Sequence, residues 1–255
     1  MRQILCIFVF ALQCILISAA IHSSVADSLL NELRALPHDS TRLKLLEKLV
    51  LTEQNSPHYI KYAEEMFKEA QLQKSDKYRA SSTYYKLLYY YNQNEVDSIS
   101  KLVTYLLPIA ERMQYWQMYF NTQKLFIYTY IYKEKYEFAI NEALKMQEKA
   151  ETLNNANGRV AAYLCLANAY HETNRNQEEG EVLQKAHELF SAPIHSGIQI
   201  NVLGQLIIYS NNQNDYKSLK KYLDQNVRLI EDLLKQDPDT VSYTHLRAHE
   251  TLANL

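Results

Sequence analysis

The chain has 255 residues, 47% of them hydrophobic, which is enough to bury a sizeable core. Only 4 Gly and 5 Pro are present. This is too few for the many tight turns of an all-β protein, but it suits long helices joined by short polar links. A formal charge of −2, without a stripe of Lys and Arg, disfavours nucleic-acid binding by this portion of the chain.

The first 20 residues have the pattern of a secretory signal peptide. Arg2 precedes an apolar run over residues 4–17, which is short for a membrane span, and small residues follow that run. The pattern predicts cleavage after Ala20, with Ala26 as a second position; an uncleaved membrane anchor is the competing interpretation. We therefore expect an exported protein, periplasmic or associated with the inner membrane. After cleavage Cys165 is the only cysteine left, so no intrachain disulfide is expected.

The rest of the chain is predicted to be helical. Residues 27–40 predict a lead-in helix, and residues 41–236 show pairs of amphipathic helices that return about every 40 residues. The second helix of the first pair is predicted over Tyr59–Leu72. The later pairs are predicted at 78–113 with a break at 92–94, 115–154 with a break at 133–135, 159–190 after a helix stop at 154–158, and 198–234 with a break at 211–215.

One stretch, residues 125–132, has a pattern that by itself favours a strand. It is rich in β-formers, and its tyrosines alternate as they would in a half-buried strand. However, it lies in register with the first helices of the neighbouring pairs, it has no flanking Gly or Pro, and a lone strand would have no partner. We therefore expect a helix here.

Large and small residues recur at corresponding places in these pairs. They are Ala63, Phe67, Ala70, Tyr130, Ala139, Ala143, Tyr163, Leu166, Ala167, Tyr170, Leu183 and Ala186. This pattern resembles the tetratricopeptide repeat family, in which such residues form the repeat core. The chain departs from the family pattern at Glu179, where Ala is usual, and in spacings longer than the family's about 34 residues; Pro193 alone could match the proline that ends each unit. The resemblance implies an all-α fold, a right-handed α-solenoid of about five helix–turn–helix pairs.

The last residues, 241–255, are predicted to be foreign to the protein. The stretch 241–251 resembles the translation of a transposase-based sequencing adapter, and the helical repeats stop where it begins. His245, His249 and Glu250 within it have the spacing of zinc ligands on a helix, but for this reason we assign them no metal site. The natural protein is then expected to be cut at 237–240, before its own C-terminus.

The remaining sequence carries no pattern typical of an enzyme. It has no Gly-rich phosphate loop, no nucleophile elbow and no Cys/His cluster, so we expect no catalytic residue, no metal and no cofactor. His171 and His187 have no nucleophile or carboxylate partner at a telling spacing.

The 21 tyrosines suit both helix packing and a binding groove, because a Tyr ring buries apolar area while its hydroxyl can stay in water. Carrying over the family's groove positions gives six candidates for binding a protein or peptide partner, or a small ligand. They are Tyr90, Tyr91, Lys124, Tyr128, Asn168 and His171. Packing or simple exposure is the alternative interpretation of each.

An export signal followed by such repeats resembles the N-terminal periplasmic sensor region of Bacteroidetes-type signalling proteins. The resemblance implies a noncatalytic binding module, with a membrane helix and a histidine kinase or DNA-binding regulator in the missing part. The sequence makes no prediction of oligomeric state, and membrane contact is expected only through the signal segment or a missing downstream helix. The alternatives are a free-standing periplasmic scaffold for protein assembly and an enzyme whose catalytic domain lies in the missing part.

Overall fold

The computed structural model describes residues 25–54 and 56–236, and these residues form eleven α-helices and no β-strand. The predicted fold class, an all-α helical-repeat fold, is confirmed. The expectations for the signal segment, for the cut at 237–240 and for the tail at 241–255 lie outside the described residues.

Short connections join consecutive helices. Helix α1 covers residues 25–35 of the described chain. The others are α2 Ser40–Thr52, α3 Tyr59–Leu72, α4 Asp76–Asn92, α5 Val96–Arg112, α6 Trp116–Tyr132, α7 Tyr136–Thr152, α8 Ala156–Glu172, α9 Asn176–Glu188, α10 Ser196–Asn212 and α11 Tyr216–Gln236. A 3₁₀ turn, Leu189–Ser191, follows α9. The predicted second helix of the first pair has the same bounds as α3, and the tyrosine-rich stretch 125–132 is helical, within α6.

Turn geometry repeats every 20 residues. A residue in the left-handed conformation, with φ between 47° and 57°, follows most of the helices; these residues are Lys74, Asn94, Gln114, Glu134, Asn154, Asn174 and Asn214. In a typical turn the N–H of Asn94 donates to the carbonyl of Tyr91 at 3.1 Å, and the N–H of Glu95 donates to the carbonyl of Tyr90 at 3.0 Å. These bonds satisfy carbonyls that the helix end leaves without partners. Two such helices make the period of about 40 residues seen in the sequence.

Helix α8 begins earlier than predicted. The segment 154–158 was expected to stop a helix, but α8 starts at Ala156. Asn154 takes the left-handed turn, and the Asn155 side chain accepts a hydrogen bond from the N–H of Gly158 at 2.7 Å. Asn155 is therefore an N-cap, and this polar segment starts a helix as well as ending one.

The chain divides into two compact units, and the boundary in the sequence falls within α6: unit 1 ends at Thr122 and unit 2 begins at Gln123. The core of unit 1 contains four leucines of α2, together with Met66, Leu87 and Leu106; the four are Leu43, Leu45, Leu46 and Leu49. In unit 2, α8 is buried along most of its length and packs against α7 and α9. Its alanines permit close approach of the neighbouring helices, because small side chains leave room for theirs.

Most of the residues that the family resemblance assigns to the repeat core are buried, but Phe67 and Tyr130 are half-buried. The Phe67 ring lies edge-on to Tyr105, with ring centroids 6.0 Å apart. Tyr130 contacts Phe126 and Phe138, with centroid distances of 4.9 and 4.3 Å. These two rings therefore pack within aromatic clusters and keep part of their surface in water.

Candidate binding surface

Four of the six candidate groove residues lie on α6 and α8 in unit 2. Because the pairs repeat every 40 residues, Tyr128 of α6 and Asn168 of α8 occupy equivalent positions. Lys124 lies one turn before Tyr128, and His171 lies one turn after Asn168. We call these four residues the donor surface, since each carries an N–H or O–H group that can donate a hydrogen bond.

A hydrogen bond joins the two helices at the centre of the donor surface. The Asn168 Nδ2 atom donates to the Tyr128 hydroxyl at 3.2 Å and to the carbonyl of Leu164, in its own helix, at 2.8 Å. Asn168 and Tyr128 are both half-buried. The amide is therefore held in one orientation, and it holds the tyrosine hydroxyl beside it.

His171 links the donor surface to a buried carboxylate. Its Nδ1 atom lies 3.1 Å from Oε1 of Glu179, which is in α9. His171 is exposed, whereas only 5% of Glu179 is exposed. Glu179 has the helix position that Ala139 has in α7, where the side chain is fully buried. Burial raises the pKa of Glu179, and the charge and hydrogen bond of His171 oppose this rise only in part.

Tyr209 of α10 approaches α9 beside that carboxylate. A Cβ atom at Gly180 would lie 2.7 Å from the Tyr209 ring carbon that bears the hydroxyl, so an alanine here would force the end of the Tyr209 side chain to move. Burial raises the pKa of Tyr209, and the charge of Glu179 raises it further. His171 and Tyr209 are thus two titratable side chains near Glu179, and the tyrosine stays protonated at neutral pH.

Lys124 lies near the thiol of Cys165 in α8. Burial raises the pKa of Cys165 to about 12, and the Lys124 charge opposes the rise. A thiol that remains protonated at neutral pH is a poor nucleophile, and Cys165 is buried, so it is a core residue. Among the described residues, no group of His, Cys, Asp or Glu side chains could hold a metal ion.

The two candidates in unit 1, Tyr90 and Tyr91, are half-buried in α4. Tyr90 packs edge-on against Tyr89, with ring centroids 5.3 Å apart. Burial raises its pKa, and nearby glutamates add to the rise. Tyr90 also has the same position in its helix as Tyr130 and Tyr170, which were assigned to the repeat core. Packing is therefore the better account of Tyr90.

A second buried carboxylate, in unit 1, was not anticipated from the sequence. Glu69 of α3 accepts a hydrogen bond from Gln73 at 2.6 Å, and it contacts His38 at 2.7 Å and Arg42 at 3.2 Å. Burial alone would raise the pKa of Glu69, but these hydrogen bonds and positive charges outweigh it, and the net effect lowers the pKa. Arg42 also donates to the carbonyl of Leu33 at 2.7 Å, so this network ties the end of α1 to α2 and α3.

The fold described above places the chain in the class of all-α helical-repeat proteins. No family model matches the chain, and no curated protein matches its sequence. Among solved structures it is similar to the crystal structure of BtubC (BKLC) from P. vanneervenii, with a TM-score of 0.62 and 13% sequence identity. The similarity covers 82% of this chain and 90% of that chain. At this identity it shows the fold alone. None of the described helices has the length and apolar character needed to cross a membrane.

Proposed function

We propose that the chain is a noncatalytic binding module of the tetratricopeptide type, and that its donor surface binds a peptide or a protein segment. The observation that carries the proposal is the hydrogen bond between Asn168 and Tyr128. It fixes two polar side chains at equivalent positions of successive first helices. A partner then meets a preorganised row of polar groups, which lowers the entropic cost of binding.

The chemistry of the donor surface favours a partner rich in oxygen acceptors. Lys124 offers an ammonium and Tyr128 a hydroxyl, and His171 adds an imidazole at the end of the row. Both N–H groups of the Asn168 amide already bond to Tyr128 and Leu164, so Asn168 offers its amide oxygen as an acceptor for a backbone N–H of the partner. Backbone carbonyls and carboxylates of an extended peptide are acceptors that such donors recognise. The tyrosine ring adds apolar contact area at low conformational cost.

In the fuller form of the proposal, the module is the extracytoplasmic sensory part of a truncated two-component signalling protein. The signal-like pattern of residues 1–20 supports export. Binding would favour one arrangement of the helices over another and so pass a signal to the missing part by population shift. The test is the uninterrupted gene downstream of residue 239. An apolar run of about 20 codons followed by a kinase or regulator region supports the sensor, and an early stop codon rules it out.

Binding itself is tested with random peptides displayed on phage, selected against the chain and then measured as synthetic peptides by calorimetry. Replacing Tyr128 by Phe and Asn168 by Leu together should weaken the selected peptides about tenfold or more, because each lost hydrogen bond to the ligand is worth about 1 kcal/mol. Tyr132→Phe, an exposed tyrosine of α6 outside the donor surface, is the matched control and should bind as the original chain does. Equal affinity of the double variant and the control would remove the donor surface as the binding site.

A further inference from the structure

Helix α11 has an apolar stripe that no other described helix covers. Tyr216, Leu223 and Val227 are 66%, 44% and 45% exposed. They lie on one side of the helix, in line with Ile230 and Leu234, which are half-buried. On its other sides α11 packs against α10 and also contacts α9, where the Tyr222 hydroxyl accepts a hydrogen bond from Gln184 at 2.9 Å and the Tyr222 ring lies against His187. The exposed stripe is therefore additional to the face that holds α11 in unit 2.

The corresponding face of the earlier second helices is covered by another helix. Leu223 of α11 has the position of Leu183 in α9 and of Ala143 in α7, and both of these are fully buried. In unit 2, α9 packs against α10 and α7 against α8, the helix that follows in each case. The stripe on α11 thus has the position and chemistry of a surface that takes a helix.

We propose that this stripe is covered by α11 of a second copy of the chain, running antiparallel about a two-fold axis near Gln225. The stripe is self-complementary in this orientation. Leu223 of one copy then faces Val227 of the other, and Tyr216 faces Leu234. A two-fold contact of this kind uses the same surface patch on both subunits.

The charges beside the stripe favour this occupant. Lys220 lies near the start of α11 and Glu231 near its end, both on the same flank of the stripe. Antiparallel pairing places Lys220 of one copy beside Glu231 of the other, whereas parallel pairing would leave the two residues at different heights along the pair. Asp224 lies nearest the axis, and its charge is paired with Lys220 of its own helix at 3.3 Å.

The placement of these charges is unfavourable for an isolated helix. A helix dipole prefers acidic residues near the N-terminus and basic residues near the C-terminus. In α11, Lys217, Lys220 and Lys221 lie in the first turns, and Glu231 lies near the end, although Lys235 follows it. An antiparallel partner places its Glu231 beside these basic first turns.

The length of the stripe determines how tightly the two copies are expected to bind. From Tyr216 to Leu234 it is about 27 Å long, at 1.5 Å per residue. A single helix pair of this length buries less surface than the roughly 1,200 Å² of a stable standard interface. The dimer should therefore be weak, reversible and dependent on protein concentration.

Sedimentation equilibrium of the full chain, between about 1 and about 200 µM, tests the proposal. We expect dimer to accumulate with concentration. Leu223→Glu together with Val227→Glu should abolish the dimer while the helix content stays unchanged, since both side chains are exposed in one copy. Leu144→Glu, at an exposed leucine of α7, is the matched control and should leave the dimer intact.

A charge exchange tests the orientation. Lys220→Glu places like charges together in the antiparallel dimer and should weaken it several-fold, and adding Glu231→Lys should restore it. A chain that is monomeric throughout the concentration range would overturn the proposal. So would a dimer that survives the two glutamate substitutions, or an exchange variant no more dimeric than Lys220→Glu alone. These results leave the donor surface, on α6 and α8, untouched.

Discussion

At the scale of single residues, Glu179 is predicted to link stability to pH. Its pKa is raised in the folded chain, chiefly by burial. The folded state therefore holds the proton more tightly than the unfolded chain, whose glutamates titrate near about 4.3. Stability should fall as the pH rises through the window between that value and the folded pKa. Replacing Glu179 by Ala, the residue that α7 has at this position, should remove this fall. The free energy of unfolding of the variant should therefore rise relative to that of the original chain between pH 4 and pH 8.

Urea unfolding at several pH values measures this difference. The comparison should be repeated in a His171→Asn background, because His171 contacts Glu179 and the loss of that contact would otherwise contribute. Glu69 should affect the pH dependence of stability in the opposite direction, because Gln73, His38 and Arg42 lower its pKa against the effect of burial. Its contribution is present above the unfolded pKa and is lost as the pH falls through the folded value. If the Glu179→Ala difference were the same at every pH, the assignment of a raised pKa would be wrong.

Gly180 is predicted to be required by one neighbouring side chain. Gly→Ala inside a helix normally stabilises by about 1 kcal/mol. At Gly180 the added Cβ would overlap the end of Tyr209, so we expect a loss of about 1–3 kcal/mol. Gly204→Ala in α10 is the matched control, since nothing lies within 4 Å of its added Cβ, and it should stabilise.

A double-mutant cycle separates this overlap from other effects. In a Tyr209→Ala background the cost of Gly180→Ala should disappear, because the overlapping ring is gone. Denaturant unfolding of the four variants gives the coupling energy. Equal effects of Gly180→Ala in both backgrounds would show that Tyr209 does not determine this glycine.

At the scale of elements, the left-handed turns are the feature on which the repeats depend, and several are formed by residues unsuited to them. Glu134 is exposed, with φ of 57°, between α6 and α7. This conformation costs a residue with a Cβ about 1 kcal/mol relative to glycine. Glu134→Gly should therefore raise the free energy of unfolding by up to about 1 kcal/mol. Glu148→Gly, at an exposed position inside α7, should lower it by a similar amount. Thermal unfolding of both variants checks the signs, and a loss at Glu134 would contradict the turn geometry.

The same turns explain how far the sequence could predict the helices. Polar breaks such as 133–135 and 211–215 were visible because the apolar pattern stops there. The breaks around Lys74 and Gln114 were placed between predicted pairs, but these residues carry no Gly or Asn signal, so only backbone geometry identifies their left-handed conformation. Asn154 and Asn155 suggested a helix stop, since no pattern tells a left-handed turn followed at once by an N-cap from a loop.

The candidate site was predictable to the same limited degree. Tyr128 and Asn168 were both named from their family positions, and the 40-residue period places them at equivalent points of α6 and α8. The contact between His171 and Glu179 was not predicted, because it depends on how the turn after α8 positions α9 against it. The role of Gly180 could not be predicted from the sequence, because it depends on the Tyr209 ring in the next helix.

At the scale of the whole molecule, stability should vary along the chain in the way expected of stacked repeats. Each helix is stabilised mainly by its sequence neighbours, as the packing of α7 on α8 and of α8 on α9 illustrates. A helix covered on two sides should therefore open only when its neighbours also open. A helix with one covering neighbour can open with the loss of a single contact face.

Within unit 2 this argument predicts slow amide exchange in α8 and fast exchange in α11. Helix α8 is buried from Gly158 to Tyr170 at most positions, whereas α11 packs mainly against α10 and exposes Leu223 and Val227. Hydrogen exchange followed by mass spectrometry, at a protein concentration low enough to keep the chain monomeric, should show α8 exchanging at least about 100-fold more slowly than α11. At high concentration the protection of α11 alone should rise, because pairing with a second copy covers its stripe. Equal protection of the two helices in the dilute chain would contradict stabilisation by nearest neighbours.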